Sequence, residues 1–180
     1  MKEIFKDFIK QYIDAINNDI DIDTLLKSAE MIKEVNNKGG KIILCGNGGS
    51  AAMASHVAAD LTKNASIRAI NFNESDLITC FANDYGYENW VEQALKFYAD
   101  ENDLVILISS SGNSMNMVNA ANYCKKVNMD SITLTGFSKN NKLRNLGKIN
   151  FWVDSLEYNI VEMTHHIILL LLVDGIINES

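Results

Sequence analysis

Lys41-Ile-Ile-Leu-Cys45 runs without a break into Gly46-Asn-Gly-Gly-Ser50, and a helical pattern follows through Thr62. A short, continuous apolar run, a glycine turn and a helix make the opening of an α/β unit. The same order returns at Asp103-Leu-Val-Ile-Leu-Ile108, which enters Ser109-Ser-Ser-Gly-Asn-Ser114 and then a helix predicted over 116–127. Weaker runs at Ala69-Ile-Asn-Phe72, Ser131-Ile-Thr-Leu-Thr135 and Lys148-Ile-Asn-Phe-Trp-Val153 read as three more strands. Between and after them, helices are expected to begin near 76–81, to cover 90–97 and to close the chain over 158–177. Strands that are apolar throughout, rather than alternating, belong to a parallel sheet covered on both faces.

Ahead of the sheet, Ile4, Phe5, Phe8, Ile9, Tyr12, Ile13 and Ile16 recur at the 3-4 spacing of an amphipathic helix over 4–20. A second helix is predicted over 24–35, with Asp23 as its cap and Asn36-Asn-Lys-Gly-Gly40 as its stop signal. No linker, repeat or charge block divides the chain. The expectation is one α/β domain over 1–180, with N-terminal helices over 1–38 and the core and closing helix over 39–180.

Composition narrows the function. The 180 residues are 47% hydrophobic and 22% charged, which suits one compact domain and excludes a disordered chain. A formal net charge of −7 argues against an electrostatic role on nucleic acid or an anionic membrane. Cys45, Cys80 and Cys124 are odd in number, lack a CxxC pair and read as reduced thiols. The N-terminus interleaves charges with its apolar residues, unlike a signal peptide. The longest apolar run, 167–173, is far below the ~20 residues that span a bilayer. The reading is a soluble, cytoplasmic protein with neither nucleic acid nor membrane as partner. No proline occurs, where average usage of about 5% predicts roughly nine; abundant Ile, Asn and Lys point to a compositional bias of the source genome.

Both strongest strands end in short polar loops that open helices. Parallel sheets bind ligands at the carboxyl ends of their strands, where helix N-termini offer free N–H groups and partial positive charge. Glycine allows close approach there, and serine hydroxyls donate to phosphate oxygens. Tight turns with N-caps are the simpler alternative, but two such loops on one sheet favour phosphate binding. Neither loop contains GxxxxGK[ST] or GxGxxG, and neither supplies Lys or Arg, so a small phosphorylated metabolite fits better than a nucleoside triphosphate.

Four motifs in order, Cys-Gly-Asn-Gly-Gly-Ser-Ala-Ala, Ser-His-Val-Ala-Ala-Asp, Asn-Asp-Tyr-Gly-Tyr-Glu and Ile-Ser-Ser-Ser-Gly-Asn-Ser, resemble the sugar isomerase (SIS) family. Within it the likeness is to the sedoheptulose-7-phosphate isomerases, or phosphoheptose isomerases, and it covers nearly the whole chain. The resemblance implies a flavodoxin-like three-layer sandwich with a five-stranded parallel sheet and a helical hairpin before it. It implies a homotetramer with sites between subunits, a divalent metal with zinc expected, and a heptose phosphate product for lipopolysaccharide or capsule. It assigns Ser109, Ser110, Ser111 and Ser114 to the phosphate, and Asn47, Gly48, Gly49, Ser50 and Asp84 to substrate binding. His56 matches a metal ligand, and Asp60 stands where the family has a glutamate that serves as ligand and catalytic base. Glu162 falls on a glutamine ligand, His165 on a nearby histidine, and Leu170 where the family keeps its catalytic histidine.

At about 100° per residue, positions 162 and 170 lie roughly 80° apart, and His166 lies about 40° from each. His166 is therefore the expected substitute imidazole, with His165, about 60° to the other side of Glu162, as the alternative. The pairs Glu162–His166 and His56–Asp60 are each i, i+4 and can each point together. Two imidazoles and two carboxylates would suit zinc or a harder ion. Core packing is the plain structural alternative for either histidine. Residues 167–173 read as the buried core of the tetramer, and Trp90 and Trp152 as packing residues.

As an enzyme, the chain would interconvert a ketose and an aldose phosphate through an enediol, with Asp60 as base and His166 as acid. The second class is a non-catalytic SIS protein, a phosphosugar-binding regulator or a tetrameric adaptor. Leu170 favours that class, and His56, Asp60 and Glu162 oppose it.

Overall fold

The continuous apolar strands lie side by side in one parallel sheet. The structure is a computed structural model and describes residues 1–179. Two helices, α1 (Lys2–Asp19) and α2 (Ile22–Asn37), precede β1 (Ile42–Gly46), α3 (Gly49–Lys63) and β2 (Ala69–Asn71). Then come α4 (Ser75–Tyr85), α5 (Trp90–Tyr98), β3 (Leu104–Ser109), α6 (Met115–Lys126), β4 (Ser131–Thr135), β5 (Ile149–Trp152) and α7 (Tyr158–Glu179). The strand order is β2-β1-β3-β4-β5, all parallel, as in the flavodoxin-like topology expected from the resemblance.

The direction of winding reverses between β1 and β3. Their ends are in register, Gly46 beside Ile108, so both polar loops open next to each other at the topological switch point. The start of the pair is pinned by a buried ion pair. Lys41 Nζ reaches Asp103 Oδ2 at 2.6 Å and Asp100 Oδ2 at 2.7 Å, while its backbone N–H donates to Asp103 Oδ1.

Alternate residues of each strand enter opposite cores. Ile42, Leu44, Ile106 and Ile132 pack on one side with Val57 and Leu61 of α3 and Ile168 and Leu172 of α7. Ile43, Cys45, Val105 and Leu107 pack on the other with Trp90, Leu95 and Met117 of α5 and α6. Each such side chain contributes about 1.5–3 kcal/mol by burial, and truncating Ile106 to Ala costs about 2–5 kcal/mol. Cys45 and Cys124 are buried, Cys80 is exposed, and all three are free thiols.

Three expectations are corrected and one, the helix beginning near 76–81, is met and extended. Asp21, not Asp23, caps α2, because its Oδ2 accepts the Thr24 N–H at 2.9 Å. Helix α4 runs well past 81 and carries Asn83-Asp84-Tyr85 inside it. Ile168, Leu169, Leu172 and Val173 of α7 are already buried within the single chain, and Leu171 is 42% exposed, so the 167–173 run is a core of the chain before it is one of an assembly. Finally, α7 has 22 residues, and an 18-residue stretch within it has a mean hydropathy of 1.9, long and apolar enough by length and composition to cross a membrane. Half of that stretch is buried here, in keeping with its place as a core helix against the sheet.

The amphipathic face of α1 has little to cover it. Ala15 is its one buried residue, while Ile4, Phe5, Phe8, Ile9 and Ile13 are exposed.

Candidate active site

The turn after β1 is built for close approach. Gly46 has no room for a side chain, because the Ser50 backbone fills that space, and Gly48 adopts φ +54°, in the left-handed region. Helix α3 then starts at Gly49, and the N–H groups of Ser50, Ala51 and Ala52 donate back to the carbonyls of Asn47 and Gly48, which ties the turn to the helix. The serine loop after β3 is braced from behind. Gly112, at φ +62°, lies against the buried Asn141 side chain, which donates to the carbonyls of Gly136 and Ser138. Leu143 N–H donates to Gly112 O at 2.9 Å, and Gly136 N–H to Ser110 O at 2.9 Å.

The two loops face one cleft of about 240 Å³. Asn47, Gly48, Gly49, Ser50, Ser109, Ser110, Ser111 and Ser114 all line it. So do Tyr158 and Glu162, from the first turns of α7. Ser110 Oγ donates to Glu162 Oε1 at 3.4 Å, and Ser109 Oγ to Ser114 Oγ at 3.2 Å. A dense set of hydroxyls with one carboxylate at its edge can hold a phosphate while leaving an acid–base group beside the sugar carbons.

The second cluster lies one helical turn further along. His56 Nε2 is 3.2 Å from Asp60 Oδ2, and His56 Nδ1 is 3.1 Å from His166 Nε2. Asp60 thus faces one edge of the His56 ring and His166 the other. Burial first, then the neighbouring His56, holds the pKa of His166 below the ordinary imidazole value, and Asp60 opposes that shift. Asp60 Oδ1 also accepts from Asn64 Nδ2 at 3.2 Å. Thus His56, Asp60 and His166 come together, but none of the three lines the cleft, where Glu162 is the carboxylate present.

Two predicted residues stand apart. His165 is fully buried, and its Nε2 donates to Thr135 O at 3.0 Å; Nδ1 has no partner among the described residues. It anchors α7 to the end of β4 and does not face His56, which removes it as the alternative imidazole. Asp84 lies on the exposed surface of α4, beside Cys80, Phe81 and Phe97, in a different pocket from the serine loop.

The second cluster offers two imidazoles and a carboxylate, donor types that zinc takes. Two zinc ligands at about 2.0–2.1 Å in tetrahedral geometry sit roughly 3.3 Å apart, and the His56 and His166 nitrogens are 3.1 Å apart. Asp60 approaches the opposite edge of the His56 ring, and among the described residues no three His, Cys, Asp or Glu side chains form a metal-holding group. The structure therefore supports an imidazole pair and does not gather the carboxylates around it.

Sequence reasoning missed Tyr158, Tyr87 and Asn116. Tyr158 sits four residues before Glu162, on the same helix face, and that spacing was the available signal. Tyr87 and Asn116 reach the site through contacts distant in sequence.

Residues 5–136 match the SIS domain family. The phosphoheptose isomerase of Fusobacterium nucleatum is 31% identical over 83% of this chain and 79% of that protein. The phosphoheptose isomerase of Helicobacter pylori strain 26695 is 33% identical over 86% of this chain and 83% of its own length. The chain belongs to the phosphoheptose isomerase family. A solved phosphoheptose isomerase of Neisseria gonorrhoeae superposes with a TM-score of 0.89 at 26% identity, covering 97% of both chains. Membership in the phosphoheptose isomerase family makes this chain an isomerase and tells against the non-catalytic regulator or adaptor. Leu170, half-buried against the core, cannot act as an acid or base, so acid–base work falls to the groups around it.

Proposed function

We propose that the chain isomerises sedoheptulose 7-phosphate to an aldoheptose 7-phosphate, supplying a precursor of cell-surface polysaccharide, as a cytoplasmic homotetramer. The observation that carries this reading is the single cleft in which both loops and Glu162 meet. Hydroxyls of Ser109, Ser110, Ser111 and Ser114 hold the phosphate, with the glycine turn before α3 closing the other side of the cleft. That remote binding orients the reacting carbons, so the phosphate works for the chemical step as well as for affinity.

The reaction is a proton transfer between adjacent carbons through an enediol, with a second proton moved between the two oxygens. Glu162 is the carboxylate in the cleft, and it takes the carbon proton in this reading. Asp60, first expected as the base, is engaged by His56 and Asn64, and it orients the His56–His166 pair. His166 moves the oxygen proton. A divalent ion would be held by His56 and His166, with Asp60 and Glu162 as the nearest carboxylates on the two helices. When bound, it polarises the substrate oxygens.

The exposed apolar face of α1 supports self-association, since a stripe of that kind is a normal interface signature. The test is metal analysis of the purified protein, then turnover of sedoheptulose 7-phosphate with and without a chelator. Turnover that the chelator abolishes is expected. No turnover of any ketose phosphate would overturn the function.

A further inference from the structure

One buried side chain beside the cleft has no part in the reading so far. Asn116, in the first turn of α6, is 2% exposed, and its amide pairs reciprocally with that of Asn47. Asn47 Nδ2 donates to Asn116 Oδ1 at 3.0 Å, and Asn116 Nδ2 donates to Asn47 Oδ1 at 2.8 Å. The Tyr87 hydroxyl donates to the same Asn47 Oδ1 at 3.1 Å. One turn along α6, Asn119 Nδ2 donates to Glu88 O at 2.9 Å and Asn89 Oδ1 at 3.0 Å, which holds the segment carrying Tyr87.

These bonds use up most of what Asn47 can offer. An amide has two N–H donors and one oxygen with two lone pairs. Both lone pairs are filled and one N–H is taken, which leaves a single N–H in a direction fixed by the planar group. Asn47 itself lines the cleft and leads into the Gly48–Gly49 turn. We infer that Asn116 is a positioning residue, which with Tyr87 fixes the Asn47 amide and the following turn so that one N–H is presented to the substrate. The inference depends on the isomerase reading for the ligand, but its geometry does not.

Three variants separate the roles. Asn116→Ala removes donor and acceptor, Asn116→Asp keeps size and acceptor but loses the donor, and Tyr87→Phe removes a hydroxyl from a half-exposed ring. Hydrogen exchange of the amides at 47–50 needs no substrate. It should quicken at least tenfold in both Asn116 variants, with β4 unchanged. On sedoheptulose 7-phosphate, Asn116→Ala should lower kcat/KM by roughly tenfold to a hundredfold, mostly through kcat. Combined with Asn47→Ala it should be no worse than the poorer single variant, because both remove one device. Unchanged exchange at 47–50, or additive losses in the double variant, would overturn the inference. Should Asn116→Ala fail to fold, the other two variants decide by the same readouts. A wild-type protein that turns over no sugar phosphate sinks the isomerase reading alone, and the exchange measurement still decides the positioning role.

Discussion

The Glu162 carboxylate occupies the space into which a side chain at position 49 would project. A glycine at the first position of α3 and an acid on α7 thus fit each other across the cleft, and the pair joins the glycine turn to the carboxylate of the cleft.

Gly49→Ala tests that fit. Alanine is a better helix former than glycine by about 1 kcal/mol, so the change should not weaken α3 itself. The added methyl must displace the Glu162 tip, a flexible group that can swing aside. We expect kcat/KM to fall at least tenfold while the melting temperature moves by only a few degrees, as read by steady-state kinetics beside a thermal melt.

Ser110 touches both functions of the cleft. Its hydroxyl donates to Glu162 and lies within the loop assigned to the phosphate. A hydrogen bond to a charged group contributes about 1.5–3 kcal/mol, or roughly tenfold to a hundredfold in affinity. Ser110→Ala should therefore raise KM for the sugar phosphate by that factor. Titration calorimetry with inorganic phosphate should show the same loss without turnover.

Metal retention separates His166 from its neighbour. His166→Ala should leave the purified protein with little bound metal, because it removes one of the two nitrogens at zinc-ligand spacing. His165→Gln should retain it, since that side chain faces Thr135. Elemental analysis of the two variants after dialysis decides between them, and equal metal in both would reject the imidazole pair.

Acid should destabilise the fold through buried histidine. Burial pushes the His165 pKa down to about 4, with the Thr135 bond opposing the shift. An imidazole in the unfolded chain titrates near 6.5. Between those values the unfolded chain holds a proton that the folded one does not, so stability falls as pH drops from about 6.5 towards 4. The loss amounts to roughly 3 kcal/mol at its limit. His166, also held low by burial, adds in the same direction. Urea unfolding at pH 7.5 and 4.5 should show a smaller gap for His165→Gln than for the wild-type protein.

The fold was legible because its decisive signals are local. Two apolar strands running into polar glycine loops fixed the sheet type, and the helix boundaries mostly followed from caps and periodicity. Asp21 and Asp23 are both good caps by residue type, and only the Thr24 bond tells them apart. The serine loop was readable for the same reason, since its chemistry sits in consecutive residues. Position on a helical wheel set His166 above His165, and the Thr135 contact that buries His165 became visible only in three dimensions. The amide pair of Asn47 and Asn116 joins residues 69 apart and left no periodic trace.

Helices α1 and α2 pack against α7, and Asp19 at the end of α1 accepts the backbone N–H of Asp154, 135 residues later. On a ribosome, chains grow at roughly 5–20 residues per second, so the two leading helices emerge many seconds before the helix on which they dock. A chain cut short before residue 158 would therefore lack the surface on which its first two helices dock.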